Sequence, residues 1–477
     1  MKQASEQVEE KSQHSANLEI PGSMTQRSRA ERKAMGKALR DKCPRTSHAE
    51  WNPPHNRPDP IRVVLEADEG RLPDLLPLRH GRMVASPFTF YRGSALAMAI
   101  DLAGTPSTGL RVQCGGDSHL VNFRGLATPE RQVIFALNDL DETLPAPWEW
   151  DLKRLAASFV IACRDNGLSE SVANEAVLTC VRSYRERMAE FAEMKVLELW
   201  YFAVESEMLI ASVKDAGIRR SAIRNLAKAR ESSTSEGLFP KLVSDSGGSP
   251  IIKDQLPAIY HWEGHTAGKL HPEVNEAFAQ YRESLSPNHR MLLDRYEMKD
   301  AAVKVVGVGS VGTVCWMILF MASDGDPLIL QVKEARASVL EGFAGKSVFP
   351  NRGQRVVNGI RLMQPASDIF LGWTEGKRGR HFYIRQLRDV KIKFPVETFE
   401  AARMILFGDF CGYSLALSHA RSGDPAMISG YLGKGDTFDH AIAAFSVAYA
   451  NQNEKDHAQL KRAIRDGKVT AVIEKAK

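Results

Sequence analysis

The sequence predicts an α+β protein, with a small antiparallel β lobe beside a larger helical lobe. Three patterns predict it. Between Val303 and Arg388, β-branched and aromatic runs alternate with glycine turns. From Asp151 onward, apolar residues recur at three- and four-residue spacing for roughly eighty residues. A second helical pattern follows over Val396 to Ala420 and Phe438 to Arg465.

A chain of 477 residues implies two or three units at roughly 100–200 residues each. With 43% hydrophobic and 25% charged residues, it is neither disordered nor fibrous. A net charge of +5 is too small for a phosphate-tracking surface, so no nucleic-acid partner is expected. Six isolated cysteines without a CxxC pair point to a reducing compartment. The start, MKQASEQVEEKSQ, lacks the apolar core of a secretory leader. The longest apolar run, Val314 to Ala322, falls far short of the ~20 residues that span a bilayer. The expectation is a soluble, cytoplasmic protein with no membrane partner.

Residues 1–60 read as a polar arm, with a short helix from Thr25 to Asp41 and a proline-rich end, ordered only where it docks. Residues 61–300 read as the helical lobe with a catalytic loop, opening with a helix over Ser94 to Leu102. The strands LRVQC and QVIFAL then bracket a polar loop. After the long helices, SDSGGSP near Ser244 turns between two small strands, and residues 263–300 form a polar helical connector. Residues 301–390 form the β lobe, and the helices of 391–477 complete the helical one.

The loop CGGDSHLVNFRG places Asp117, His119 and Asn122 together. A carboxylate five residues before an amide can position a hydroxyl and a magnesium ion respectively. The next strand runs into NDLDE, so Asp139 and Asp141 stand at a strand end, where hard oxygens can reach the same ion. Asp117 is the candidate base or positioner. Asn122 and Asp139 are the candidate metal ligands, with Asp141 as second choice. Isolated loop acids mostly cap helices or make turns, but acids ending two apolar strands need partners. His119 reads as a loop hydrogen-bonding residue, and Asp151 as the N-cap of the long helix. Trp148, Trp150 and Phe159 read as core. Arg82 and Arg92 either face phosphate or an acidic substrate, or pair with local acids.

GGDSHLVN, IFALNDLDE and WDLKRLA together resemble the catalytic segment of aminoglycoside phosphotransferases and related kinase-like enzymes, with Gly115 where those have a histidine. Over most of its length the chain also resembles a large uncharacterised bacterial family sharing SPFxFxRG, CGDxHxxNF, NDFDE and LQVKEA. The first resemblance implies a kinase-like transferase that uses ATP and Mg2+. The second implies no activity.

A second constellation, VGVGSVGTVCWMILF, holds Gly307, Gly309, Ser310 and Gly312. A dinucleotide site needs a helix directly after such glycines, whereas Thr-Val-Cys-Trp-Met reads as a strand. An Asp-Gly turn and LILQVK follow, putting Lys333 on a third strand, as in a kinase glycine loop with its phosphate lysine. The bland alternative is a glycine-rich hairpin with a surface lysine. A helix over Asn351 to Gln364 and the strands DIFLGWTE and RHFYIRQL complete a five-stranded lobe with one helix. Gln386 and Leu387 lie at the crossing to the helical part, where a base would bind. The helix has Asn358 where a lysine-anchoring glutamate is expected, which leaves Glu334 or Glu341 for that role.

In ordinary kinases the glycine loop precedes the catalytic loop, and here it follows. Either one constellation is coincidental or the fold is a circularly permuted protein-kinase-like one. FCGYSLALSHA supports permutation, since it resembles the helix before a kinase catalytic loop, with His419 structural. The resulting expectation is Mg-ATP-dependent phosphoryl transfer to a small-molecule hydroxyl or amine. AMP transfer to a protein side chain and a non-catalytic nucleotide-binding pseudokinase remain the alternatives. The acceptor is not legible, nor is any oligomeric state, and AYANQNEKDHAQLKRAI reads as a solvated amphipathic helix.

Overall fold

The computed structural model describes residues 27–232, 239, 242–246, 249–261, 272–305, 307–387 and 391–474. Thr25 and Arg388 therefore lie outside the described residues. The protein is mixed α and β, with a small antiparallel sheet against a larger helical body. No described helix is long and apolar enough to cross a membrane.

The chain enters through α1 (Arg29–Ala38), started by a reciprocal cap in which Ser28 Oγ accepts from Glu31 N and the Glu31 carboxylate accepts from Ser28 N. The segment after it buries Cys43, His48 and Trp51 against the helical body. Three short helices follow, α2 (Pro60–Asp68), α3 (Leu76–Val84) and α4 (Pro87–Gly93), and then α5 (Ala95–Ala103). Asp59 caps α2 and Ser86 caps α4, each directly before a proline whose missing N–H costs nothing there.

Strand β1 (Arg111–Cys114) pairs with β4 (Leu144–Pro147), and β2 (Phe123–Ala127) with β3 (Val133–Leu137). The polar loop thus lies between β1 and β2, and the acidic turn between β3 and β4. The core comes from α6 (Trp148–Asp165), α7 (Glu170–Phe191) and, after the β lobe, α14 (Ala401–Ser422). Trp148 stacks on Tyr184 with ring centroids 5.7 Å apart, and Phe159 is fully buried. Helices α14 and α7 touch backbone to backbone because Gly412 has no side chain: a Cβ there would lie 2.1 Å from Cys180 O.

Shorter helices α8 (Val196–Tyr201), α9 (Ser206–Ser212) and α10 (Ala216–Ser232) lead to the hairpin β5 (Val243–Ser246) and β6 (Ser249–Ile252). Among the described residues the β lobe has six strands where the sequence suggested five, in the order β11 (Gly372–Glu375), β12 (His381–Gln386), β10 (Pro327–Ala335), β9 (Cys315–Met321), β8 (Glu297–Lys304) and β7 (Ile259–Tyr260). The addition is the short β7 (Ile259–Tyr260), which pairs with β8 (Glu297–Lys304). The supposed helical connector holds helices α11 (Pro272–Ser284) and α12 (Pro287–Leu293) but ends as strand β8. Asp300, Ala301 and Ala302 are buried in succession, with Ala301 and Ala302 in two different apolar layers, so both faces of the strand are covered as in a sheet and not as in a solvated helix.

Strands β9 (Cys315–Met321), β10 (Pro327–Ala335), β11 (Gly372–Glu375) and β12 (His381–Gln386) match the predicted runs, as does α13 (Arg352–Met363). Along β10, Leu328, Leu330 and Val332 pack on α11, while Ile329 and Lys333 take the opposite face. A second helix, α11, therefore covers the lobe. The last helices are α15 (Pro425–Leu432) and α16 (Thr437–Arg465). Far from being solvated, α16 buries Tyr449, Asn453, Asp456 and Leu460, and Asp456 shares Arg57 with Asp101.

Candidate functional site

One cleft of about 290 Å³ lies between the sheet and the helical body. Gly309 and Ser310 line it from the glycine loop, and Asp117, Asn122, Asp139, Asp141 and Glu142 from the two acidic loops. The two constellations therefore meet, although Lys333 and Asp139 stand 194 residues apart in sequence. Gln386 and Leu387 are not brought there. Gln386 borders a separate small pocket, and Leu387 packs into the apolar layer with Met317 and Leu319.

The polar loop is held from below by Asp151. Its carboxylate accepts from Gly115 N at 2.6 Å and from Gly116 N at 3.0 Å. This corrects the N-cap expectation: α6 already begins at Trp148, so Asp151 sits in its first turn, buried and aimed at the loop. His419 Nε2 lies 3.3 Å from the same carboxylate, and its Nδ1 lies 2.9 Å from the Tyr184 hydroxyl. His419 thus ties α14 and α7 to the loop, the structural role expected for it. Gly116 is required at its position: φ is +77°, and a Cβ would lie 2.6 Å from Glu142 O.

Asp117 pairs with Arg154, whose Nε donates to Oδ1 at 2.7 Å and whose Nη2 donates to the same oxygen. Burial raises the Asp117 carboxyl to about 6, with Arg154 opposing. Arg154 is itself fixed by the FYRG segment. Its guanidinium lies over the Tyr91 ring at 4.5 Å, Nη2 donates to Tyr91 O, and the Tyr91 hydroxyl donates to Arg154 O. Sequence reasoning missed Arg154. The available signal was its place three residues after Asp151 in DLKRLA, on the same helix face. His119 is buried with Nε2 3.9 Å from Asp117 Oδ2, and burial drives its pKa well below the usual value.

Asn122 donates from Nδ2 to Asp117 O at 2.8 Å, which leaves its carbonyl oxygen for other use. Lys333 Nζ reaches Asp141 Oδ2 at 2.7 Å and Asp139 Oδ1 at 3.2 Å. These aspartates, and not a glutamate, anchor the lysine. Glu334 accepts from Val314 N and Arg380, Glu341 accepts from Ser338 N, and Asn358 donates to Gln354 O. Helix α13 contributes Arg355 instead, which donates to the carbonyls of Thr143, Asp141 and Arg336 and clamps the acidic turn to the β lobe.

Burial would raise the Asp139 carboxyl, but Lys333, Arg385 and Arg124 outweigh it and hold it well below the usual range. Burial and the neighbouring Asp139 charge push Asp141 up. Burial would lower Lys333, but the two aspartates outweigh it, so it stays charged. The Tyr383 hydroxyl also donates to Asp141, and the pairing of Tyr383 with Lys333 across β12 and β10 puts the two side chains side by side on that carboxylate. Asn122 Oδ1 and the second oxygen of Asp139 make no hydrogen bond among the described residues. As one amide and one ionised carboxylate, they fit a Mg2+ ion that takes one or two protein oxygens.

The glycine loop is a ten-residue connection from β8 to β9, not a tight hairpin, and the N-terminal helices hold it. Arg71 Nη1 donates to Val311 O at 2.6 Å, Leu72 N to Gly312 O at 2.7 Å, and Arg82 Nη1 to Gly307 O at 2.7 Å. Arg82 also pairs with Glu474, so it closes the loop and does not line the cleft. Arg71, Arg79, Arg92 and Arg336 do line it. Burial lowers Arg71 to about 9, with Arg79 and Arg336 adding to the shift.

The fold and cleft define an α+β protein with a polar, acid- and arginine-lined crevice between a β lobe and a helical body. The chain belongs to the family described as "Uncharacterized protein conserved in bacteria (DUF2252)", whose model matches residues 71–463. That span contains SPFTFYRG, CGGDSHLVNF, NDLDE and LQVKEA. No curated protein and no solved structure matches the chain.

Proposed function

We propose that this protein is a Mg-ATP-dependent phosphotransferase with a circularly permuted, kinase-like arrangement, acting on a small-molecule hydroxyl or amine. One observation carries the reading: Gly309 and Ser310 line the same cleft as Asp117, Asn122, Asp139 and Asp141. On this reading, backbone N–H groups of the glycine loop meet the phosphates. Asn122 and Asp139 would hold the magnesium ion, whose chemistry is to neutralise phosphate charge. Asp117 accepts the proton as the acceptor oxygen or nitrogen bonds to the terminal phosphorus and the bond to the ADP oxygen breaks. Arg154 orients Asp117 from behind. Positioning and charge stabilisation supply most of such a rate enhancement.

A second reading has its own support. Lys333 is already neutralised by Asp139 and Asp141, as suits a nucleotide-binding protein without turnover. The test is incubation with Mg-ATP and a set of small-molecule hydroxyls and amines, reading ADP and pyrophosphate release and the mass of any adduct. ADP release lost in Asp117→Asn supports phosphoryl transfer, and a heavier adenylyl adduct supports AMP transfer. ATP binding with no product in either protein supports the non-catalytic reading.

A further inference from the structure

We infer that Arg92 is the oxyanion site for the terminal phosphoryl group, taking the charge-neutralising place that Lys333 cannot fill while its two aspartates hold it. The inference rests on the phosphotransferase reading and deepens it. Arg92 is half-buried and lines the cleft, yet makes no hydrogen bond or ion pair among the described residues. Its Nε is fully shielded and without a partner. A guanidinium removed from water without a partner is costly, and an anionic ligand would repay that cost.

Its surroundings make the placement specific. Asp117, Glu397 and Asp139 are all close enough for their charges to act on it, and of these Asp117 and Asp139 line the cleft with it. Its carbonyl lies 3.1 Å from where a Cβ of Gly309 would stand, so the glycine loop rests directly on this residue. The cation therefore lies between the glycine loop and the acidic loops, where the transferred group must pass.

The backbone on either side is pinned: Tyr91 O accepts from Arg154 Nη2, and Gly93 O accepts from Arg79 Nη2 at 2.9 Å. Gly93 is itself wedged against Met83, where a Cβ would lie 2.6 Å from Cγ. A guanidinium on so fixed a base is organised in advance for an oxyanion and can meet two of its oxygens with its planar fork. The other arginines are committed to carbonyls or acids. Arg71 holds Ala67 O and Val311 O, Arg336 holds Ala67 O and Glu69 O, and Arg79 pairs with Asp68.

The experiment compares wild type with Arg92→Met, and with Arg92→Lys should the first fail to fold. Affinities for Mg-ATP, Mg-ADP and tripolyphosphate are titrated by calorimetry, and ADP release is measured. The expected result is about tenfold weaker Mg-ATP binding with Mg-ADP unchanged, and a turnover loss on the order of 100-fold. Thermal stability should not fall, because an unpaired cation has been removed. Equal weakening of ATP and ADP, or full turnover in the folded variant, overturns the inference. An ATP-over-ADP preference kept by Arg92→Met also overturns it and assigns the arginine to an acidic acceptor group. Should wild type bind tripolyphosphate through Arg92 but not ATP, the nucleotide reading fails while the oxyanion site stands.

Discussion

Lys333 Nζ lies 2.7 Å from Asp141 Oδ2, so the lysine of the β lobe is tethered to the acidic turn of the helical body. Asp139 completes a three-charge cluster, and Arg355 holds the carbonyl side of the same turn. The cluster joins the two halves of the cleft and sets the charge of the candidate metal ligand.

Lys333→Met leaves two adjacent carboxylates without their cation. Breaking a fully dry pair costs about 3–5 kcal/mol. Here the side chains of Asp139 and Asp141 remain 32% and 24% exposed, which reduces the expected loss to about 2–3 kcal/mol. Urea denaturation checks it. A second change, Asp141→Asn in the Lys333→Met background, should recover part of the loss by removing like-charge repulsion.

On the phosphotransferase reading, activity should fall as pH drops through about 6, where Asp117 takes up a proton and would no longer serve as base. Arg154 holds that carboxyl down, so Arg154→Met should move the acidic limb of kcat/KM to higher pH. An acidic limb unmoved by the substitution would remove Asp117 from the titrating role.

Gly116→Ala forces a side chain into left-handed backbone and against Glu142 O. The expected cost is about 2 kcal/mol or more, with loss of activity, because the loop that carries Asp117 must shift. Gly167→Ala is the control. That position has a φ of +71° but open space around it, so it should cost only the backbone strain, about 1 kcal/mol.

Asp151→Asn should loosen the same loop from below. Asn keeps one oxygen acceptor and replaces the other with an NH2 group, so one of the Gly115 and Gly116 N–H donors is left facing a donor, and a buried group without its partner costs about 1–3 kcal/mol. Hydrogen exchange at Gly115 and Gly116 should speed up in the variant, while distant α16 amides stay protected.

The strands and helices were legible where one periodicity dominates, as in β9, β10, α7 and α14. Strand β8 was legible only from Val303 onward, because its first residues, Glu297 to Asp300, read as polar helix until a neighbouring strand is in place. The meeting of Asp117 with Gly309 was inferable from motif chemistry, whereas the anchoring of Lys333 by Asp141 was not. It depends on the register of β10 against β12 and on where the acidic turn approaches the sheet, which no local pattern encodes. Gln386 and Leu387, expected to meet the cofactor at the crossing between the lobes, do not line the cleft for a related reason: the side chain of Leu387 is absorbed into the layer under the β5–β6 hairpin. Asp151 was misread because an acid beside a helix start suits a cap, and its partners, Gly115 and Gly116, are 36 and 35 residues away.

Hydrogen exchange with and without Mg-ATP tests the central claim most directly. The account predicts simultaneous protection of the segments from Gly307 to Gly312, Gly115 to Asn122 and Asn138 to Glu142, dependent on Mg2+ and lost in Asp139→Asn. Protection confined to one of these segments, or none at saturating nucleotide, would contradict a shared nucleotide site.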